Sequence, residues 1–325
     1  MTSKQPILVQ WILDTRALWP AASSTRQLAQ EAARELALLS DEERTAVLRF
    51  FHIRDAKMAL GSHLLKHYAV SKLAGVRWRD TAIIRDTHAA KPYWRDPRTG
   101  VTGTVAFNVS HQAGIVAIVA VAHYPGPGPV EVGVDVVCTS ERRMRDHQMV
   151  REGGWPFFVD MHSDVFSPDE SSYLKYQMLS QQVIRSSVTA DQLIDAKLRG
   201  FYALWGLREA YVKMTGEALL AAWLRELEFR NFRAPLPTIS WTVPARVRQE
   251  GEEREQDEVV TKHDIYLGGV AVEDVNICLR SMGPDFMICT AVRTPENKAV
   301  GLDWKLGPYE FVTLDEIMNQ GETNF

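Results

Sequence analysis

Five residues near the middle of the chain, Pro125-Gly126-Pro127-Gly128-Pro129, set the first constraint on its fold. Proline fixes φ and lacks an N–H, so neither a helix nor a central strand can run through them. The stretch 125–130 therefore reads as a linker between a lobe of residues 1–124 and a lobe of residues 131–325. Two lobes also suit the length, since 325 residues exceed the roughly 250–300 at which single cores stop growing. With 46% hydrophobic and 24% charged residues, each lobe has the means to close a core.

Several function classes fall away on composition. The net charge of −4 gives no cationic excess for a phosphate backbone, so nucleic acid is not an expected partner. The longest apolar run, Ile115 to Ala122, is far shorter than the roughly 20 residues that span a bilayer, so no membrane segment is expected. Lys4 and Asp14 interrupt the N-terminal stretch, which does not resemble a secretory signal. The 3 cysteines form no CxxC pair, which argues for neither a disulfide framework nor a zinc site and points to a reducing, cytoplasmic setting. Motifs of esterases, P-loop enzymes and dinucleotide binders are missing from the sequence. His63 and His67 share a helical face without a third ligand and read as exposed histidines.

In the first lobe, Ser40 with Glu43 three residues later is a capping-box signature that divides residues 26–48 into two helices. Ala56, Leu60, Leu64 and Tyr68 keep a 3.6-residue period and predict a helix over about 54–73 with a basic outer face. From Val101 to Ala122 the β-branched runs on either side of His111-Gln112-Ala113-Gly114 predict a hairpin, with His111 at a strand end. The second lobe opens with a strand over Val130–Val137. Residues 139–190 read as an insertion, followed by a helix from about Asp191 to Thr215 and strands near 225–231, 259–272 and 285–293. The charged run 249–258 reads as a solvated loop.

Two acids do not fit a purely structural account. Asp135 lies in the middle of its strand, where an ionised carboxylate needs a cation, a metal or several donors, unless backbone amides satisfy it as at a strand end. Glu209 follows the apolar stripe Ile194, Leu198, Phe201 and Trp205, which turns it inward, although taken alone an i,i+4 surface pair with Lys213 is the better account of it. Two inward acids from distant segments suit Mg²⁺, or Mn²⁺, completed by water and substrate phosphates. Arg44, Arg49, Arg54, Lys57 and Lys66 on helices, with Arg85 and Lys91 flanking a loop that ends at Pro92, are the cations available for phosphate, and most read as surface charges. Ser110-His111 is not a nucleophile–base pair, because adjacent strand residues face opposite ways.

Taken together, Phe107-Asn-Val-Ser-His-Gln112, Gly133-Val-Asp-Val-Val137 and Trp205-Gly-Leu-Arg-Glu-Ala-Tyr-Val-Lys213 resemble the three ordered signatures of Sfp-type 4′-phosphopantetheinyl transferases. The stretches Lys213–Leu220 and Trp223–Phe229 are similar to the filamentous-fungal members. The resemblance implies an α+β fold of two pseudo-two-fold lobes, each with antiparallel strands on a long helix, and a monomer with its site in the cleft. It implies transfer of the phosphopantetheine arm of coenzyme A to a serine of an apo acyl or peptidyl carrier domain, releasing adenosine 3′,5′-bisphosphate. The clients it implies are nonribosomal peptide synthetases, polyketide synthases and the aminoadipate reductase of lysine biosynthesis. Carried over by position, Asp135 and Glu209 would hold the metal, Glu209 would act as base and Lys213 would steady the phosphates. His111, with Asn108 and Ser110 nearby, would meet coenzyme A, as would Arg49, Arg85, Lys91 and Pro92. Two positions depart from the pattern: Val137 stands where many bacterial members carry a second acid, which a water is expected to replace, and Ala90 stands where glycine is usual. The alternatives are a non-catalytic carrier- or coenzyme-A-binding module of the same fold and an enzyme acting on a nucleoside triphosphate.

Overall fold

The computed structural model describes residues 5–85, 91–178, 189–217, 221–237 and 257–323. The first lobe opens with strand β1 (Ile7–Asp14), short helices α1 (Thr25–Glu31), α2 (Ala33–Ala37) and α3 (Asp41–Leu48), and the 22-residue helix α4 (Ile53–Ala74). The capping box forms as expected, with Ser40 Oγ accepting from the Glu43 N–H and the Glu43 carboxylate accepting from the Ser40 N–H. Strands β2 (Ile83–Ile84) and β3 (Tyr93–Trp94) pair with each other, and β4 (Val105–Gln112) and β5 (Ile115–Ala122) form the predicted hairpin. Its two turn residues, Ala113 and Gly114, both take positive φ, the geometry that matches strand twist in a two-residue turn.

The second lobe begins with β6 (Glu131–Cys138), followed by α5 (Arg143–Gly153), α6 (Trp155–Asp160), α7 (Pro168–Tyr176) and the 26-residue helix α8 (Ala190–Thr215). Then come β7 (Leu227–Arg230), β8 (Val259–Val260), β9 (Asp264–Leu267), β10 (Val270–Ala271), β11 (Val275–Met282) and β12 (Phe286–Arg293). Helix α9 (Lys298–Asp303), strand β13 (Glu310–Phe311) and helix α10 (Leu314–Thr323) complete the described chain. The two four-stranded sheets run β13-β1-β5-β4 and β6-β12-β11-β8, beside a three-stranded sheet β10-β9-β7, so both lobes repeat the order strand, long helix, hairpin. Each long helix stops on a left-handed glycine, Gly75 or Gly216, as a helix C-terminus favours.

The cores explain the sequence pattern. On β5, Val116, Ile118, Ala120 and Ala122 pack towards α4, whereas Ile115, Ala117, Val119 and Val121 join a second core that also takes Val132, Val134 and Val136 of β6. A strand buried on both faces must be apolar throughout, which accounts for the eight-residue run. On β12, Met287, Cys289 and Ala291 face α8 while Phe286, Ile288 and Val292 face the central core. No helix among the described residues is long and apolar enough to cross a membrane.

Within the stretch 139–190 read as an insertion, Val150, Trp155, Phe158, Val159, Phe166 and Leu174 join the core around α8. Three expectations are corrected. The second lobe does not extend to the end of the described chain, because β13 pairs in parallel with β1, and Val312, Ile317 and Met318 enter the first-lobe core. Strands β1 and β11 have no counterpart in the sequence reading, and residues 26–39 form two short helices broken at Ala32. Residues 249–256 of the charged run, and Ala90, lie outside the described residues.

Candidate active site

The lobes meet where the edge strand β4 of one sheet faces the edge strand β6 of the other. Unpaired edge N–H groups are costly when buried, and here alternate side chains of β4 satisfy them. The Val134 N–H donates to Asn108 Oδ1 (2.9 Å), the Val136 N–H to Ser110 Oγ (3.3 Å) and the Cys138 N–H to Gln112 Oε1 (2.9 Å). Asp135 lies within this seam at 6% exposure. Its Oδ1 accepts from Ser110 Oγ at 3.1 Å and from Lys213 Nζ at 2.6 Å, while Lys213 Nζ also donates to Ser110 Oγ at 3.0 Å. Asp135 is thus held by a cation and a hydroxyl, not by strand-end amides, and Lys213 crosses to Asp135 instead of pairing with Glu209.

Glycines let α8 come down on this strand. A Cβ on Gly133 would meet the Ala210 carbonyl oxygen at 2.0 Å, and one on Gly206 would lie 3.9 Å from Asp135 Oδ2. The close approach brings Glu209 and Lys213 over Asp135, and all three line a cavity of about 280 Å³ with Ser110 and His111. Burial, with the neighbouring Asp135 charge, pushes the Glu209 carboxyl above the ordinary glutamate range, and Lys213 only partly offsets this.

A larger cavity of about 930 Å³ opens in the first lobe between α3, α4 and the segment Trp78–Arg85, and His111 borders both cavities. Arg49 and Arg85 line it and are exposed, as expected of cations available to a ligand. The histidines correct the sequence reading. His67 is buried and His63 half-buried, and both are partners of Glu43, with His63 Nδ1 and His67 Nε2 each 3.0 Å from its Oε1. Burial works to raise the Glu43 carboxyl, but the hydrogen bonds of the two histidines outweigh it and hold the group well below the usual range. Burial lowers His63. His111 is lowered by crowding at the cavity mouth together with the Lys213 and Lys66 charges. Lys66 is the second correction among these residues: it is 1% exposed, not a surface charge. Asn108, Lys91 and Pro92 line neither cavity. Asn108 is committed to the β4–β6 seam, and Lys91 Nζ donates to the Met214 carbonyl at the end of α8, where burial lowers it to about 8.

Residues 26–123 match the family model described as 4′-phosphopantetheinyl transferase, N-terminal, and residues 131–264 match the 4′-phosphopantetheinyl transferase superfamily. The chain is 40% identical to 4′-phosphopantetheinyl transferase 1 of Fusarium mangiferae, over 98% of this chain and 96% of that protein. The chain belongs to the 4′-phosphopantetheinyl transferases. It is 36% identical to 4′-phosphopantetheinyl transferase NpgA of Emericella nidulans, over 90% of this chain and 83% of the relative. A more distant relative, the L-aminoadipate-semialdehyde dehydrogenase-phosphopantetheinyl transferase of Schizosaccharomyces pombe, is 29% identical over 64% of this chain and 68% of that protein. The chain is accordingly a transferase that moves the phosphopantetheine arm of coenzyme A to carrier-protein domains.

Two features of this transferase site escape the sequence reading. Arg208, next to Glu209, is buried and donates to Glu170 Oε2 and the Leu227 carbonyl, each at 2.6 Å, and also to the Leu224 carbonyl. Glu170 Oε1 accepts from the Phe229 N–H at 2.8 Å, so this network ties α7 and β7 to the turn of α8 that carries Glu209. Its signal was available: Ser167-Pro168-Asp169-Glu170 has the same capping-box spacing as Ser40 and Glu43. The other feature is the packing of Val137, whose Cγ2 would lie 3.3 Å from a Cβ on Gly206, so the place of the missing acid is filled by an apolar contact with α8.

Proposed function

We propose that Asp135 and Glu209 bind Mg²⁺ on the pyrophosphate of coenzyme A, and that Glu209 and Lys213 carry out the transfer at this site. The observation behind the proposal is the convergence of Asp135, Glu209 and Lys213 on one cavity that shares His111 with a cation-lined cleft. The donor set fits a hard cation: two carboxylates face one space, where burial foremost and then the Asp135 charge raise Glu209, and a divalent ion would relieve both the desolvation and the repulsion. When bound, Mg²⁺ would neutralise charge on the pyrophosphate oxygens as the bridging bond breaks.

The chain's own residues divide the remaining work. Glu209, held above its ordinary range, is suited to take the proton of the incoming carrier serine as its Oγ bonds to the phosphorus of the pantetheine phosphate. The P–O bond to the nucleotide phosphate breaks, and adenosine 3′,5′-bisphosphate leaves with the bonding electron pair. Lys213, anchored by Asp135 and Ser110, offers its remaining charge to that leaving phosphate. Arg49 and Arg85 on the first-lobe cleft suit the nucleotide end. The clients implied by the family resemblance are peptide and polyketide synthase carrier domains, and the name of the fission-yeast relative suggests the aminoadipate-pathway carrier as another. A cytoplasmic monomer is part of the same reading.

The test is intact-mass spectrometry of an apo carrier domain incubated with the protein, coenzyme A and Mg²⁺, with an EDTA control. The carrier should gain one phosphopantetheine only with metal, and Glu209→Ala should slow the gain by about 10³-fold. No gain on several carrier domains while coenzyme A still binds would favour a non-catalytic binder.

A further inference from the structure

The first-lobe cavity contains a cation to which the described residues offer no direct partner. Lys66, in the middle of α4, is 1% exposed and lines the cavity, and among the described residues it has no hydrogen-bond or ion-pair partner. A buried ammonium without a partner is costly, and the nearest remedy is already taken. The Glu43 carboxylate in the same cavity is bound by His63 and His67, and His67 Nδ1 is fixed in turn by Thr81 Oγ1 at 2.6 Å. The other charged neighbours aggravate the cost: Arg85 repels Lys66, and Lys66 in turn acts on His63 and His111. Burial foremost, then Arg85, brings Lys66 down to about 8, and the charge of Glu43 offsets this only in part.

A cluster of Lys66, Arg85 and His111 with its local acid occupied is built for an anion supplied from outside. Coenzyme A carries two anionic groupings, a pyrophosphate and a phosphomonoester on the ribose. With the pyrophosphate at Asp135, Glu209 and Lys213, the cavity beyond His111 receives the other. We infer that Lys66 grips the ribose 3′-phosphate of coenzyme A and makes this enzyme discriminate against the dephosphorylated coenzyme. The inference rests on the proposed placement of the pyrophosphate and adds a specificity-determining residue to it.

Two measurements test it with the full chain. In carrier-transfer kinetics, Lys66→Met should raise KM for coenzyme A roughly tenfold to a hundredfold and leave KM for 3′-dephospho-coenzyme A unchanged, while Lys66→Arg keeps most of the discrimination. Equal effects on the two substrates, or none on coenzyme A, overturn the role of Lys66. In thermal melts, adenosine 3′,5′-bisphosphate should stabilise the wild type more than adenosine 5′-monophosphate does, and Lys66→Met should erase that difference. A difference that survives in Lys66→Met overturns the inference even if transfer is never observed. Wild-type protein that transfers from neither coenzyme would instead sink the functional reading, and the melts would still decide the role of Lys66.

Discussion

The two long helices each bury one cation, Lys66 on α4 at 1% exposure and Arg208 on α8 at 0%, and the folded chain treats them in opposite ways. Arg208 reaches Glu170 and the carbonyls of Leu224 and Leu227, and Glu170 is itself held by the Ser167 and Phe229 N–H groups. Lys66 meets a cavity wall. Burial lowers both ions, but the protein gives the two terminal nitrogens of Arg208 direct partners, although its Nε has none among the described residues, whereas Lys66 is offered only the charge of Glu43. A cation bonded from within organises the fold, and one without a direct partner organises a ligand. The sharpest way to break this contrast is Arg208→Met, which strands the Glu170 carboxylate in the core. Stability should fall by about 3–5 kcal/mol in denaturant melts, and adding Glu170→Gln should recover part of it. A stable single variant would mean that the network is dispensable and that the contrast is one of geometry only.

Lys66→Met should act in the opposite direction. Burial takes the Lys66 ammonium from its ordinary 10.5 to about 8. Below about pH 8 both folded and unfolded chains hold the proton, and the folded chain bears the full cost of the buried charge. Between about 8 and 10.5 the unfolded chain keeps a proton that the folded chain has released, so wild-type stability rises with pH across that window. The methionine variant has no such group. Without ligand it should therefore be more stable than wild type at pH 7, by about 3 kcal/mol at most, and the gap should close as pH approaches 10.5. Lys91, also near 8, is common to both proteins and cancels in the difference. A gap that does not change with pH would mean that Lys66 is solvated.

The same contrast marks what could be read before the structure. Asp135 and Glu209 stood out because a carboxylate breaks an apolar pattern, and the capping boxes and long helices follow from spacings within one segment. The fates of Lys66 and His67 did not follow. Both lie on the α4 face that looks basic in sequence, and whether that face meets water depends on where α3 and Trp78–Arg85 close over it. Strand β11 escaped notice because Arg280 interrupts its apolar residues, yet Arg280 bonds Asp257 and the Gly307 carbonyl, partners far along the chain. Local periodicity reports which face is apolar, not which polar face another segment will cover.

The smallest expected effect concerns the seam between the lobes. Ser110 Oγ accepts from the Val136 N–H and from Lys213 and donates to Asp135, so it serves both the fold and the site. Asn108, two residues earlier, answers the Val134 N–H and no other group among the described residues. Ser110→Ala and Asn108→Ala each leave one buried strand N–H without its acceptor, and each should cost about 1–2 kcal/mol in thermal or denaturant melts. Their kinetics should differ. Asn108→Ala should leave kcat for transfer unchanged, because Asp135 and Lys213 keep all their bonds. Ser110→Ala should lower kcat about threefold to tenfold, because Lys213 loses one of the two groups that fix it, while its 2.6 Å bond to Asp135 remains. Equal kinetics in the two variants would make the seam a purely structural joint and leave Asp135 alone to position Lys213.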